Sequence, residues 1–149
     1  MGDGGSFCLY CCKECHRPEG CPDCGPDAPG REVDYKSPVL PPGATVSSGR
    51  YLIGRSLGAG GFGITYLALD ALLGERVTIK ELYPDGVASR QTDQLTVSLD
   101  TRGSEGGFRT CMDQFVEEAK ALGKFGEHPN IVSVLNHFQE NGTAYLVMT

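Results

Sequence analysis

The chain has 149 residues, of which 40% are apolar and 21% charged, and its formal net charge is −6. This composition supports one ordinary domain or two small ones with a modest hydrophobic core. An acidic chain lacks the basic stripe of a nucleic-acid or anionic-membrane surface, so we expect neither partner. No stretch has the apolar length of a membrane span or the apolar core of a signal peptide, and we therefore expect a cytoplasmic protein.

Six of the seven cysteines fall between Cys8 and Cys24. They include two Cys-x-x-Cys pairs whose four thiolates can complete a tetrahedral shell around Zn²⁺, and metal binding would supply folding energy to so short a segment. The alternative is a redox motif, which normally opens a helix within a βαβ unit. We predict a zinc ribbon over residues 1–25. Its predicted metal ligands are Cys8, Cys11, Cys21 and Cys24.

Cys12 and Cys15 form a third pair in the same segment. If Cys12 and Cys15 bound the metal together with Cys21 and Cys24, only five residues would lie between the two pairs to turn the chain. The pair Cys8 and Cys11 is therefore preferred. His16 could replace a thiolate, although a lone histidine in a charged loop is usually solvated. The roles of Cys12 and Cys15 stay open.

Residues 26–48 are rich in proline and glycine and show no helical or strand periodicity. Because proline removes a backbone donor and restricts φ, we predict a partly extended linker here. The ribbon and the region 49–149 should then fold separately.

The region after the linker starts with two alternating apolar runs on either side of a glycine-rich turn. These runs predict strands over residues 51–57 and 63–70, and a third strand over 76–82 follows a turn at 71–75. The alternation ends on Lys80. A lysine that ends a buried strand requires an anionic partner.

Gly58, Gly60 and Gly63 fit the pattern G-x-G-x-x-G in that turn. Glycine lets the backbone approach phosphate oxygens and direct N–H groups at them. The same pattern marks dinucleotide-binding folds, but there it opens a helix, whereas residues 64–69 are β-branched and aromatic without an N-cap. The turn therefore predicts a hairpin lid over the phosphates of a nucleotide.

Residues 81–110 contain several glycines and a short β-prone run at 94–99. This run predicts a short extra strand, and the segment is either an ordered insertion or a partner-docking loop. A helix is predicted over 112–125, with Glu118 beside its apolar face. Glu118 either pairs with Lys120 or Lys124 in solvent or is the partner of Lys80, and the upstream glycine turn favours the second.

The last predicted elements are two strands, over residues 131–139 and 143–149. Residues 126–129 stop the preceding helix. Asn141 and Gly142 lie in the turn between the strands, so the two runs predict a hairpin.

Four features in this order resemble the N-terminal lobe of a bacterial serine/threonine protein kinase: the glycine turn, VTIK, the helix segment FVEEA, and HPNIV before the final strands. The cysteine pairs, GRYLIGRSLGAGGFGITYLALD and KELYPDG together resemble a subgroup that joins a zinc ribbon to the kinase domain. The resemblance implies an α+β fold over residues 49–149, with a five-stranded antiparallel sheet and one main helix, truncated at the hinge and preceded by the ribbon.

The resemblance also implies that Lys80 and Glu118 are catalytic and that Met148 is the gatekeeper beside the adenine. Thr65 stands where valine is usual and Thr78 where alanine is usual. Thr65 keeps a methyl group for the purine, whereas Thr78 is bulkier than alanine and adds a hydroxyl. The implied ATP-binding residues are Leu57, Gly58, Ala59, Gly60, Gly61, Phe62, Gly63, Thr65, Thr78, Lys80 and Met148.

The implied activity is transfer of the ATP γ-phosphate to protein serine or threonine, with Mg²⁺. Neither H-R-D-x-x-x-x-N nor D-F-G occurs in the 149 residues. We therefore expect the Mg²⁺ ligands in a missing C-lobe and predict that these residues alone are inactive. The alternative function is a non-catalytic interaction module built from a kinase-like lobe and a zinc ribbon. The sequence specifies neither the protein substrate nor the oligomeric state.

Overall fold

The structure is a computed structural model that describes residues 38–61, 63–84, 88–99, 105–123 and 133–148. The predicted zinc ribbon lies outside the described residues, and so do its predicted ligands and Phe62. The zinc ligands concerned are Cys8, Cys11, Cys21 and Cys24.

The described elements are strands and one long helix. In chain order they are β1 (Thr45–Val46), β2 (Tyr51–Ala59), β3 (Gly63–Asp70), β4 (Glu75–Leu82), β5 (Ala88–Arg90), β6 (Val97–Leu99), α1 (Glu105–Gly123), β7 (Val134–Glu140) and β8 (Thr143–Met148). Six strands form an antiparallel sheet in the order β1-β2-β3-β4-β8-β7, and β5 and β6 form a separate antiparallel pair.

The five predicted strands correspond to β2, β3, β4, β7 and β8, and the predicted helix lies largely within α1. The predicted strand number is wrong, because β1 adds a sixth strand beside β2. The expected short strand at residues 94–99 is present as β6, which pairs with β5.

Residues 38–48, at the end of the predicted linker, pack on the sheet. Leu40 is 0% exposed and Val46 is 1% exposed. The Leu40 amide donates to the Tyr66 hydroxyl at 3.0 Å, and the Ile53 amide donates to the Ala44 carbonyl at 2.7 Å. The structure thus differs from the expected tether over these residues, because burial of their apolar side chains stabilises the packed arrangement.

The sheet buries apolar side chains on both faces, since alternate residues of a strand point in opposite directions. On the outer face, the segment 38–48 covers the strands. On the helix face, α1 packs on β7 and β8, and Leu82 at the end of β4 joins the same apolar cluster. The outer-face cluster includes Leu40, Val46, Tyr51, Ile53, Tyr66, Ile79, Tyr145 and Val147. The helix-face cluster contains Leu82, Phe115, Ala119, Ala144 and Leu146.

The helix α1 contacts the sheet through Phe115 and Ala119, which are 7% and 1% exposed. Met112 is partly buried against the same cluster. These contacts confirm the apolar helix face predicted from the 3.6-residue spacing. No helix in the described part of the chain has the length and hydropathy needed to span a membrane.

The β7–β8 hairpin turns at Asn141 and Gly142, whose φ angles are 56° and 75°. A two-residue hairpin turn of this kind requires positive φ at both central positions, which Asn-Gly adopts readily. The pairing of β7 with β8 confirms the hairpin predicted at these residues.

Candidate nucleotide site

Strands β3, β4 and β8 bring four predicted site residues together on the helix face. Antiparallel pairing places Thr65 opposite Lys80, and Thr78 opposite Met148. Lys80 and Thr78 are two residues apart on β4, so their side chains lie on the same face. The predicted lysine and three of the predicted adenine contacts therefore form one continuous patch.

Leu67 extends this patch, although the sequence patterns did not mark it. It pairs with Thr78 across β3 and β4 and is half-buried. Its spacing of two residues from Thr65 could have identified it, because residues two apart on a strand point to the same face. Leu57, at the entry to the glycine loop, is 47% exposed.

The glycine loop connects β2 to β3 at the edge of the patch. Gly58 pairs with Thr65, and the Gly60 amide donates to the Gly63 carbonyl at 2.9 Å. The loop is therefore the predicted hairpin between two strands. This arrangement supports the choice of a hairpin lid over a dinucleotide-type loop, which would open a helix.

The glycines of the loop differ in what surrounds them. A Cβ at Gly63 would lie 2.6 Å from the Glu81 carbonyl oxygen and 3.4 Å from Lys80 Cε, so this close approach requires glycine. At three other positions of the loop, Gly58, Gly60 and Gly61, a Cβ would meet no described atom within 4 Å. The backbone there is open to an approaching ligand.

Lys80 is half-buried, and no ion pair joins it to a carboxylate among the residues that the structure describes. Its predicted partner Glu118 is exposed on α1. Glu117 pairs with Lys120 at 3.4 Å on the solvent side of the helix. The structure therefore does not join Lys80 to Glu118, because α1 docks through its apolar stripe and leaves the Glu118 side chain in solvent.

Glu81, the residue after Lys80, is 0% exposed on the outer face. Its Oε1 accepts hydrogen bonds from the Tyr66 hydroxyl at 3.0 Å and from Arg90 Nη2 at 2.5 Å. Its Oε2 accepts from the Tyr145 hydroxyl at 2.7 Å and from Arg90 Nη1 at 3.0 Å. Four donors thus replace the water that burial removes from this carboxylate.

The two tyrosines donate to Glu81 from strands on either side of β4. Burial first, and the Glu81 charge second, raise the pKa of the Tyr66 hydroxyl and of the Tyr145 hydroxyl above their ordinary range. Both hydroxyls therefore stay protonated donors at neutral pH. Each also accepts a hydrogen bond, from the Leu40 amide and from Asn141 Nδ2 respectively, both at 3.0 Å.

Arg90 uses its whole guanidinium in this network. Nε and Nη2 donate to the Pro38 carbonyl at 2.9 and 2.7 Å, and Nη1 donates to the Leu95 carbonyl at 2.9 Å. Its side chain is 5% exposed. Burial lowers the pKa of Arg90, but the hydrogen bonds and the charge of Glu81 outweigh burial and raise that pKa above its usual value.

The β5–β6 hairpin lies within the predicted insertion at residues 81–110. It is attached to the sheet through Arg90 and through the Val97 amide, which donates to the Asn141 carbonyl at 2.7 Å. Asp93 shapes its turn by accepting from the Leu95 and Thr96 amides at 2.9 and 2.8 Å. These contacts attach the β5–β6 hairpin to the six-stranded sheet of the same chain.

Glu81 was not singled out from the sequence, although its position carried a signal. Val77, Ile79 and Glu81 alternate along β4, and the first two are 4% and 0% exposed. A carboxylate that continues a buried series requires an internal partner. The sequence does not say that Arg90 is the partner.

Serine/threonine-protein kinase B of Synechocystis sp. is 36% identical over 102 residues, which cover 67% of this chain and 15% of that protein. Mitogen-activated protein kinase 15 of Xenopus laevis is 35% identical over 102 residues, covering 67% of this chain and 14% of that protein. The chain is homologous to the N-terminal region of serine/threonine protein kinases. It spans about 15% of the length of these curated kinases. No protein-family model matches it.

A solved structure supports the kinase-like fold of the described lobe. The structure titled PpkA-294 apo form matches with a TM-score of 0.67 and 37% sequence identity, covering 76% of this chain and 39% of that chain. The curled antiparallel sheet with its single long helix is thus the kinase N-lobe-like fold expected from the sequence motifs.

Proposed function

We propose that this lobe binds ATP as the N-terminal part of a serine/threonine protein kinase that transfers the γ-phosphate to protein hydroxyls. The observation that carries the proposal is the placement of Lys80 beside Thr65, Thr78 and Met148, next to the open glycine loop. Homology to serine/threonine kinases supports the same function.

The residues present fit an adenine nucleotide. The glycine positions leave space for phosphate oxygens near backbone N–H groups, and Lys80 carries a positive charge that no described carboxylate neutralises. Thr65, Thr78 and Met148 would contact the base, while the loop and Lys80 would hold the phosphates. ATP supplies the transferable phosphoryl group, and Mg²⁺ neutralises its charge.

Glu118 is proposed as the partner of Lys80 in an active state of the kinase. The two side chains are unpaired in this structure, and the helix that carries Glu118 would have to rotate or shift to join them. Such repositioning of the corresponding helix is a known control point in protein kinases. Formation of the ion pair would orient the lysine ammonium towards the phosphates.

The N-terminal cysteine pairs are proposed to form a zinc ribbon attached to this lobe. The proposal is supported by their spacing, which suits a tetrahedral thiolate site. The ligands would be Cys8, Cys11, Cys21 and Cys24.

ATP binding is tested by treating the 149-residue chain with an acyl-phosphate derivative of ATP, which transfers its acyl group to a lysine near the bound phosphates. We expect acylation of Lys80 that excess ATP suppresses, with acylation of exposed Lys120 unaffected by ATP. The affinity of one lobe should be roughly millimolar or weaker, about −4 kcal/mol, so ATP is added at tens of millimolar. Acylation of Lys80 that ATP does not suppress would refute nucleotide binding at this patch.

A further inference from the structure

We propose that Arg90 is a positioning residue of the nucleotide site, acting on Lys80 through Glu81 and strand β4. The inference rests on the proposed ATP-binding function and adds a residue that lies on the opposite face of the sheet. Arg90 itself would contact neither nucleotide nor substrate.

Strand β4 connects Lys80 directly to Glu81. Lys80 and Glu81 are consecutive residues of one strand, so their side chains point to opposite faces and share one peptide group. Holding the Glu81 side chain on the outer face therefore holds the peptide from which Lys80 extends on the helix face.

Glu81 is held firmly in place by Arg90. Its side chain is 0% exposed, and Arg90 donates to both carboxylate oxygens. Within the described residues Arg90 is the cation paired with Glu81. Removing the guanidinium would leave a buried carboxylate without its cation, which favours movement of the Glu81 side chain and of the end of β4 that carries it.

Arg90 is fixed by segments other than β4. It donates to the carbonyls of Pro38 and Leu95, and its guanidinium carbon lies 5.2 Å from the centroid of the Tyr83 ring. Residues 38–48 and the β5–β6 hairpin thus set the position of the guanidinium, and the guanidinium in turn sets the position of the Glu81 carboxylate.

Glu81 also contacts the end of the glycine loop. Glu81 pairs with Ile64 at the start of β3, and its carbonyl oxygen is the atom that leaves no room for a Cβ at Gly63. A shift of the Glu81 peptide therefore moves the loop exit together with Lys80. The two groups proposed to hold the phosphates share this one support.

The test uses Arg90→Met and Arg90→Lys in the 149-residue chain, with Arg50→Met as a matched control. Arg50 also pairs with a carboxylate on the sheet, Asp70, at 3.1 Å, but lies away from the patch. Each variant is treated with the acyl-phosphate ATP derivative at a temperature where circular dichroism shows it fully folded. The readout is ATP-suppressible acylation of Lys80 relative to Lys120.

We expect Arg90→Met to reduce this ratio at least fivefold and Arg90→Lys to restore it only partly, because lysine cannot make the bidentate contact. Arg50→Met should match the unsubstituted chain. A fully folded Arg90→Met or Arg90→Lys chain with an unchanged ratio would overturn the positioning role and leave Arg90 a purely structural residue. If Arg90→Met does not fold, Arg90→Lys decides the outcome.

A second measurement separates this proposal from the proposed function. If the unsubstituted chain shows no ATP-suppressible acylation, ATP binding fails, and amide hydrogen exchange without nucleotide then tests the coupling. Faster exchange at Ile64 and Lys80 in the Arg90 variant than in the Arg50 variant would support the mechanical link. Equal exchange at both amides would overturn it.

Discussion

Arg90 and Glu81 form a bidentate ion pair whose side chains are 5% and 0% exposed. A buried ion pair is retained only where further hydrogen bonds satisfy its remaining atoms, and the hydroxyls of Tyr66 and Tyr145 do so for the carboxylate. Among the described residues, every buried side-chain nitrogen and oxygen has a hydrogen-bond partner. The pair therefore joins the β5–β6 hairpin to the centre of the sheet without leaving an unsatisfied polar group.

The stability of the lobe should depend on keeping both the Arg90 guanidinium and the Glu81 carboxylate. Arg90→Met is expected to lower the free energy of unfolding by about 3–5 kcal/mol, because it leaves a buried charge without its cation. Combining it with Glu81→Gln should recover part of that loss, since the amide carries no charge. Urea unfolding followed by circular dichroism measures both. A double variant less stable than Arg90→Met would contradict the expected coupling.

Leu40 should contribute to stability as a core residue although it lies in a proline-rich segment. It is 0% exposed, so Leu40→Ala is expected to cost about 2–5 kcal/mol by removing buried methyl groups and leaving a cavity. Leu72, which is 72% exposed in the β3–β4 turn, is the matched control, and Leu72→Ala should change stability by less than about 0.5 kcal/mol. Equal losses for the two leucines would show that residues 38–48 do not cover the sheet.

Gly63 and Gly61 should respond differently to alanine. At Gly63 the added Cβ would lie 2.6 Å from the Glu81 carbonyl, and the backbone must shift, which we expect to destabilise the lobe by about 1–3 kcal/mol. At Gly61 the same change meets no described atom within 4 Å and should be nearly neutral for folding. Thermal unfolding of the two variants compares them directly, and a Gly63→Ala chain as stable as Gly61→Ala would rule out the close contact.

Asp70 should make the stability of the lobe depend on pH in the acid range. Burial raises its pKa, but hydrogen bonds from Arg50 and from the Leu72 and Leu73 amides outweigh burial, so the folded-state pKa lies below the usual value. The resulting stabilisation is present above the unfolded pKa of about 4 and is lost as pH falls through the lower folded value.

The corresponding variant is Asp70→Asn. Its deficit in unfolding free energy relative to the unsubstituted chain should be constant between pH 5 and 7, to within about 0.5 kcal/mol, and should shrink below about pH 4. Urea unfolding at several pH values measures this difference. A deficit that grows as the pH falls would reverse the assigned direction of the shift.

Metal analysis should find about one Zn²⁺ per chain after purification without chelator, if the two Cys-x-x-Cys pairs form the predicted site. The Cys21→Ser/Cys24→Ser double variant should lose the metal. Cys111→Ser is the control, because this cysteine lies far outside the cluster in sequence, and it should retain the metal. Retention of a full equivalent by the double variant would exclude the assigned ligands.

Local patterns in the sequence determined the strands, the glycine hairpin and the sheet face on which the predicted site residues lie. The period-two alternation in residues 63–70 and 76–82 places Thr65, Thr78 and Lys80 on one face whenever the strands pair antiparallel. The Asn141-Gly142 turn likewise follows from the backbone angles that these residues adopt readily. Such features depend on neighbours within a few residues, so one sequence is enough to predict them.

The tertiary structure alone decided what covers the outer face and where the charged partners lie. Pro38 and Arg90 are 52 residues apart in sequence, yet they are in contact because residues 38–48 and the β5–β6 hairpin pack on the same face of the sheet. Glu118 is exposed because the whole apolar stripe of α1, rather than one charge, sets the orientation of the helix. Contacts of this kind depend on which distant segments pack on a given surface, and the spacing of neighbouring residues does not determine that packing.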